Sequence, residues 1–193
     1  MPEQPKQPGR CVSYLGPKGS YSSLAAKALA PEARELPCGS FYAAADALER
    51  GVADCAVLPV ENTLQGAVTQ NLDLLYASPD LFAVREYLLK IEHRLIAKEG
   101  TKLSDIRRVF SHEQAILQCG KFIAQNLPQA KIVCTDSTMQ SVSRIAEAGD
   151  AGIVGSHVRA EGLSFIGENI AAEPKNFTRF LPIKKGRESL PEH

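Results

Sequence analysis

The chain has 193 residues, 44% of them hydrophobic and 23% charged, which is enough apolar content for one compact unit or two small lobes. Lys plus Arg and Asp plus Glu are both 22, so the positive excess of a nucleic-acid or anionic-membrane binder is missing and any charged ligand has to be met locally. Cys11, Cys38, Cys55, Cys119 and Cys134 are odd in number and at least 15 residues apart, which argues against a zinc cluster or a disulfide framework and for a reducing, cytoplasmic setting.

No apolar run approaches the roughly 18–20 residues of a spanning helix. Residues 1–9 read as a disordered tail, rich in Pro and Gln. From Arg10 onward, short β-branched runs alternate with segments of helical period, the pattern of an α/β chain. Cys11 to Leu15 predicts a strand and Tyr21 to Ala30 a helix. Phe41, Ala45 and Leu48 mark a second helix capped by Ser40, and Cys55 to Val60 a buried strand. Val68, Leu72 and Leu75 define the inner face of a third helix. Phe82 to Ala97 reads as one long strand crossing between lobes. There follow a strand at Val109 to Ser111, a helix from Glu113 to Asn126 capped by Ser111, and a strand at Lys131 to Cys134. Ser137 caps a helix whose inner face is Met139, Val142, Ile145 and Ala146. Ala151 to Gly155, Leu163 to Ile170 and Phe177 to Ile183 complete the strands.

Three segments could carry chemistry. Leu15-Gly16-Pro17-Lys18-Gly19-Ser20-Tyr21-Ser22 turns from a strand into a helix, a geometry that aims N–H groups and hydroxyls at an anion but also serves as an ordinary capped turn. Glu61, Asn62, Thr63 and Gln65 gather after a buried strand, where α/β sheets tend to bind ligands; Asn and Thr also cap helices there. Asn176-Phe177-Thr178-Arg179-Phe180 sets a hydroxyl beside a guanidinium, yet a regular strand points Thr178 and Arg179 to opposite faces. Either the strand is irregular here or Arg179 acts from behind the ligand contacts. His112 reads either as a proton carrier or as a structural helix-start residue, and His93 and His157 lack neighbours at metal-ligand spacing, so no metal site is expected.

In this order the segments resemble the prephenate dehydratase family. Tyr14 to Ser22 is similar to its opening motif, Val57 to Thr63 with Gly66 and Leu72 to Leu75 to its second block, and Phe110-Ser111-His112 with Gln114, Ala115, Gln118 and Cys119 to its third. Ser137-Thr138 and Asn176-Phe177-Thr178-Arg179-Phe180 resemble the last two. The resemblance implies an α/β fold of two lobes with a cleft between them, related to type II periplasmic binding proteins. Lobe one is expected at 10–88 plus 170–185, lobe two at 89–169, and a C-terminal tail at 186–193. It further implies a carbon–oxygen lyase that needs no cofactor, converting the dicarboxylate prephenate to phenylpyruvate in L-phenylalanine biosynthesis. A homodimer or higher homo-oligomer is the family-level expectation, while the balanced charge and the lack of a spanning run predict no nucleic-acid or membrane partner; many relatives append a regulatory ACT domain, and with so little sequence after Ile183 none is expected here.

By the same resemblance Thr178, Arg179 and Phe180 are the expected catalytic residues. Ser20, Ser22, Glu61, Asn62, Thr63, Gly66, Ser111 and Gln118 are the expected substrate-binding residues, with Glu61 turned to hold neighbouring backbone rather than to face a dianion. Arogenate dehydration, non-aromatising decarboxylation of prephenate, and noncatalytic binding of a small anion stand as alternatives.

Overall fold

A computed structural model describes residues 10–186. The two expected tails therefore lie outside the described residues, apart from Gly186. The chain divides into two compact units: the first runs to Leu89 and resumes at Phe177, and the second is Lys90–Asn176.

In the first unit the described residues form β1 (Cys11–Leu15), α1 (Tyr21–Leu29), β2 (Arg34–Cys38), α2 (Phe41–Glu49) and β3 (Cys55–Asn62). After these come β4 (Gly66–Ala67), α3 (Thr69–Ala77), β5 (Leu81–Ala83) and β6 (Tyr87–Lys90), and the C-terminal β12 (Phe177–Lys185) returns to the same sheet. The strand order is β2-β1-β3-β12-β5, with β4 on β3 and β6 on β12. β1 pairs parallel with both β2 and β3, whereas β12 runs antiparallel to β3. Helices α1 and α2 cover β1 and β3, and the core joins Ala44, Leu48, Leu58, Leu74 and Ile183.

The second unit holds β7 (His93–Lys98), β8 (Arg108–Ser111), α4 (Glu113–Gln118), α5 (Gly120–Asn126) and β9 (Lys131–Cys134), then α6 (Thr138–Ser143), β10 (Asp150–Gly155) and β11 (Leu163–Ile166). Its sheet order is β11-β7-β10-β8-β9. Leu95, Val109, Ala115, Cys119 and Ile153 centre the main core.

Several expectations need correction. The long strand over 82–97 is three strands, because β5 and β6 pair with β12 while β7 pairs with β10 and β11 of the other sheet. The helix over 113–126 breaks at Cys119, whose φ of −102° and ψ of 6° leave helical geometry. His112, not Ser111, caps α4, accepting the Gln114 N–H. The inner face of α3 is Asn71, Leu74 and, as expected, Leu75, which packs against the core, whereas Leu72 is turned outward. Residues 170–176, expected with the first lobe, group with the second unit, where Ile170 N–H donates to the His93 carbonyl and Ala172 N–H to that of Gln118.

Candidate functional site

The ladder between β3 and β12 places the signature residues. Thr178 lies opposite Asn62 and Arg179 opposite Glu61; the next pair is Phe180 with Pro59, so β3 carries one extra residue, Val60, in a bulge. Bulges leave backbone groups unpaired, and here both are met: Val68 N–H donates to the Val60 carbonyl, and buried Asn71 donates Nδ2 to the Pro59 carbonyl at 2.7 Å. Asn71 is a supporting residue that sequence reading missed, because it looked like one polar position of an amphipathic helix.

Asn62 is the centre of this end of the sheet. Its Oδ1 accepts the N–H groups of Leu64 at 2.9 Å and Gln65 at 3.2 Å, closing the turn before β4. Its Nδ2 donates to the Phe177 carbonyl at 3.2 Å and to Thr178 Oγ1 at 2.9 Å. Thr178 therefore spends an acceptor site on Asn62, and its own O–H proton has no acceptor among the described residues. Gly66, opposite Asn62 in the β3–β4 pairing, has a φ of +78° that favours glycine.

Arg179 occupies the opposite face, as strand alternation requires. Its Nη1 is 3.1 Å from Glu86 Oε2, and its Nε is 3.4 Å from Glu61 Oε2. The second contact is an ion pair without hydrogen-bond geometry, so Nε is a buried donor that lacks an acceptor among the described residues. Glu61 thus holds the Arg179 side chain, not neighbouring backbone as expected, because opposite charges meet across the ladder.

The other expected site residues fall into different roles. Phe180 is buried at 2% exposure, which suits it to anchoring β12 rather than touching a ligand. The Thr63 hydroxyl donates to the Phe177 carbonyl at 3.1 Å and accepts the Phe177 N–H at 2.7 Å, extending the ladder beyond Asn62. Ser20 caps α1 by accepting the Ser23 N–H at 3.2 Å, and Ser22 is buried on the same helix. The turn before it is tight: a Cβ on Gly16 would come within 3.2 Å of Pro37 Cβ, and Gly19 has a φ of +83°.

Tyr14 of the opening motif is fully buried and donates to Glu35 Oε2 at 2.6 Å, which Ser23 Oγ also reaches at 2.9 Å. Burial first, and the Glu35 carboxylate next, push the Tyr14 phenol up to about 12. The hydrogen bond from Tyr14 in turn holds the Glu35 carboxyl below its ordinary value. This network ties β1 and α1 to β2.

In the second unit Ser111 is fully buried and donates to the Ile153 carbonyl at 2.7 Å, so its hydroxyl binds β8 to β10 inside the sheet rather than facing a ligand. Gln118 Oε1 lies 2.7 Å from His93 Nε2. Burial lowers the His93 pKa, which favours the neutral ring. Among the described residues no group of three or more His, Cys, Asp and Glu could hold a metal ion, and no helix is long and apolar enough to cross a membrane.

A family model described as prephenate dehydratase matches residues 12–188. Arogenate dehydratase 2 of Petunia hybrida is 38% identical over 180 residues, covering 90% of this chain and 44% of the relative. The bifunctional chorismate mutase/prephenate dehydratase of Escherichia coli strain K12 is 37% identical over 182 residues, covering 90% of this chain and 47% of the relative. The chain thus spans about half the length of the curated relatives it matches. A crystal structure of prephenate dehydratase from Arthrobacter aurescens in complex with L-Phe superposes with a TM-score of 0.83 at 32% identity, covering 95% of this chain and 62% of that one. Prephenate dehydratases have the type II periplasmic-binding-protein-like fold expected above. With the matched segment running from the first strand to just past the last, the chain belongs to the prephenate dehydratase family.

Proposed function

We propose that this chain catalyses the decarboxylating dehydration of prephenate to phenylpyruvate. The observation that carries the reading is the Thr178 hydroxyl, oriented by Asn62 Nδ2 at 2.9 Å and left with an undonated proton where β3 ends and β12 begins. Prephenate has two carboxylates and a ring hydroxyl. Breaking the bond from the ring to its carboxylate releases carbon dioxide and sends the electron pair through the ring, which becomes aromatic as the C–O bond to the hydroxyl breaks. The oxygen departs as hydroxide and takes one proton from solvent to become water.

A threonine is a feeble acid, so Thr178 serves by hydrogen-bonding the departing oxygen as negative charge builds on it, and its fixed orientation supplies most of the effect. Arg179, on the face opposite Thr178, acts from behind the ligand contacts: its charge, met among the described residues only by the exposed Glu61 and Glu86, favours a dianion at this end of the sheet. We extend the reading to a homo-oligomer in the cytoplasm, for which light scattering on the purified chain is the check.

Incubating the purified chain with prephenate at neutral pH and following phenylpyruvate absorbance tests the reading. Phenylpyruvate formation is expected, and unchanged prephenate or a nonaromatic keto acid would overturn it. The Petunia relative's name makes arogenate the second substrate to try, with phenylalanine as the product.

A further inference from the structure

The first unit also contains a cavity of about 1000 Å³, at the upper end of the range for small-molecule sites, about 300–1,000 Å³. It opens where β3 begins at Cys55 and β12 approaches its end at Lys184. Lys184 is six residues beyond Thr178, about 20 Å along an extended strand, so the cavity is separate from the residues assigned to the reaction.

Its floor is apolar: Val12, Leu48 and Ala53 are buried core residues, and Leu29, Val84 and Pro182 form walls. Its charged lining is unbalanced. Arg10, Arg85, Lys184 and Lys185 face Glu32 and Asp54, and Asp54 Oδ2 already accepts the Cys11 N–H at 2.7 Å. Arg85 gives Nη2 to the Leu29 carbonyl at 3.1 Å and Lys185 gives Nζ to the Glu49 carbonyl at 2.8 Å. Among the described residues, Arg10, Arg85 and Lys184 have no carboxylate within ion-pair distance. Their field reaches inward: burial raises the Cys55 thiol to about 11, and Lys184 and Arg85 pull against that rise. A cationic rim over an apolar floor selects an anion whose body is apolar.

We propose that this cavity binds a small carboxylate with an apolar body, its charge met by Arg10, Arg85 and Lys184 and its body seated on Val12, Leu48 and Val84. The probe is 3-phenylpropionate, titrated into the ¹⁵N-labelled 193-residue chain, with its neutral isostere 3-phenylpropanamide as the comparison. Saturable shifts at the backbone amides of Cys11, Cys55, Val84 and Lys184 are expected. The neutral isostere should bind at least about 10-fold more weakly, and so should the acid to Arg85→Glu, a substitution at an exposed side chain. Silence at those amides up to about 10 mM acid, shifts confined to the neighbourhood of Thr178, or equal affinity for acid and isostere would each overturn the proposal.

Discussion

Each sheet carries an arginine ion-paired with two acids, and the two are held differently. Arg108, on β8, gives Nε and Nη2 to the two oxygens of Asp150 at 2.6 and 3.0 Å, and Nη2 also meets Glu147 at 2.8 Å. The Asp150 side chain is only 1% exposed and further accepts the N–H groups of Ala146 and Glu147. Burial pushes the Asp150 carboxyl up, but Arg108 and the two backbone donors outweigh it and hold the carboxyl below its ordinary value. Arg179 on β12 instead faces two glutamates that are each more than half exposed, and its Nε has no acceptor among the described residues. Exposed pairs contribute about 0–1 kcal/mol, whereas a buried carboxylate stripped of its partner costs several. Arg108 is therefore part of the architecture, and Arg179 is a guanidinium kept in place but available.

Arg179→Ala separates the two roles most sharply. It should lower kcat/KM on prephenate about 10²-fold, the loss of a positive charge behind a site for a dianion, while the unfolding free energy stays within about 1 kcal/mol of wild type. Unchanged kcat/KM with a large stability loss in urea would place Arg179 with Arg108. Asp150→Asn is the mirror case: the unfolding free energy at pH 7 should fall by about 1–3 kcal/mol with kcat/KM unaltered. Because the folded Asp150 carboxyl titrates below its unfolded value of about 3.9, its contribution is complete above that value and is lost as pH falls through the lower folded one. Urea unfolding as a function of pH should show wild type and Asp150→Asn converging there, and a constant gap would contradict the assignment.

Asn62→Ala should cut turnover about 10-fold by releasing the Thr178 hydroxyl, with some loss of stability from the freed turn donors at Leu64 and Gln65. Retained turnover would detach Asn62 from Thr178. The smallest effect is expected from Glu86→Gln, within about 0.5 kcal/mol in unfolding free energy, since both partners of that pair are largely solvated.

Local pattern made much of the fold legible. The caps at Ser20, Ser40 and Ser137 and the strands beginning at Cys11 and Cys55 follow from polarity and apolar runs that act over a few residues. β2 escaped because Arg34-Glu35-Leu36-Pro37-Cys38 is charged and contains proline, tolerable in a strand that pairs on one side only, with β1. The break between β6 and β7 depends on which sheet each strand joins, and periodicity carries no information about partners.

The candidate site was legible as residue types but not as contacts. Asn62 and Thr178 are 116 positions apart, and their pairing is set by register after folding, as are the turn of Ser111 into its sheet and the pairing of Glu61 with Arg179. Glu86 lay between apolar runs with nothing local to connect it to β12.

Thr178→Val keeps the shape and branching of the side chain and removes only the hydroxyl, so its turnover of saturating prephenate addresses the chemistry alone. With Thr178→Ser as the control within about 10-fold of wild type, the valine chain should be slower by about 10²-fold or more. Wild-type turnover by Thr178→Val would contradict the role given to that hydroxyl.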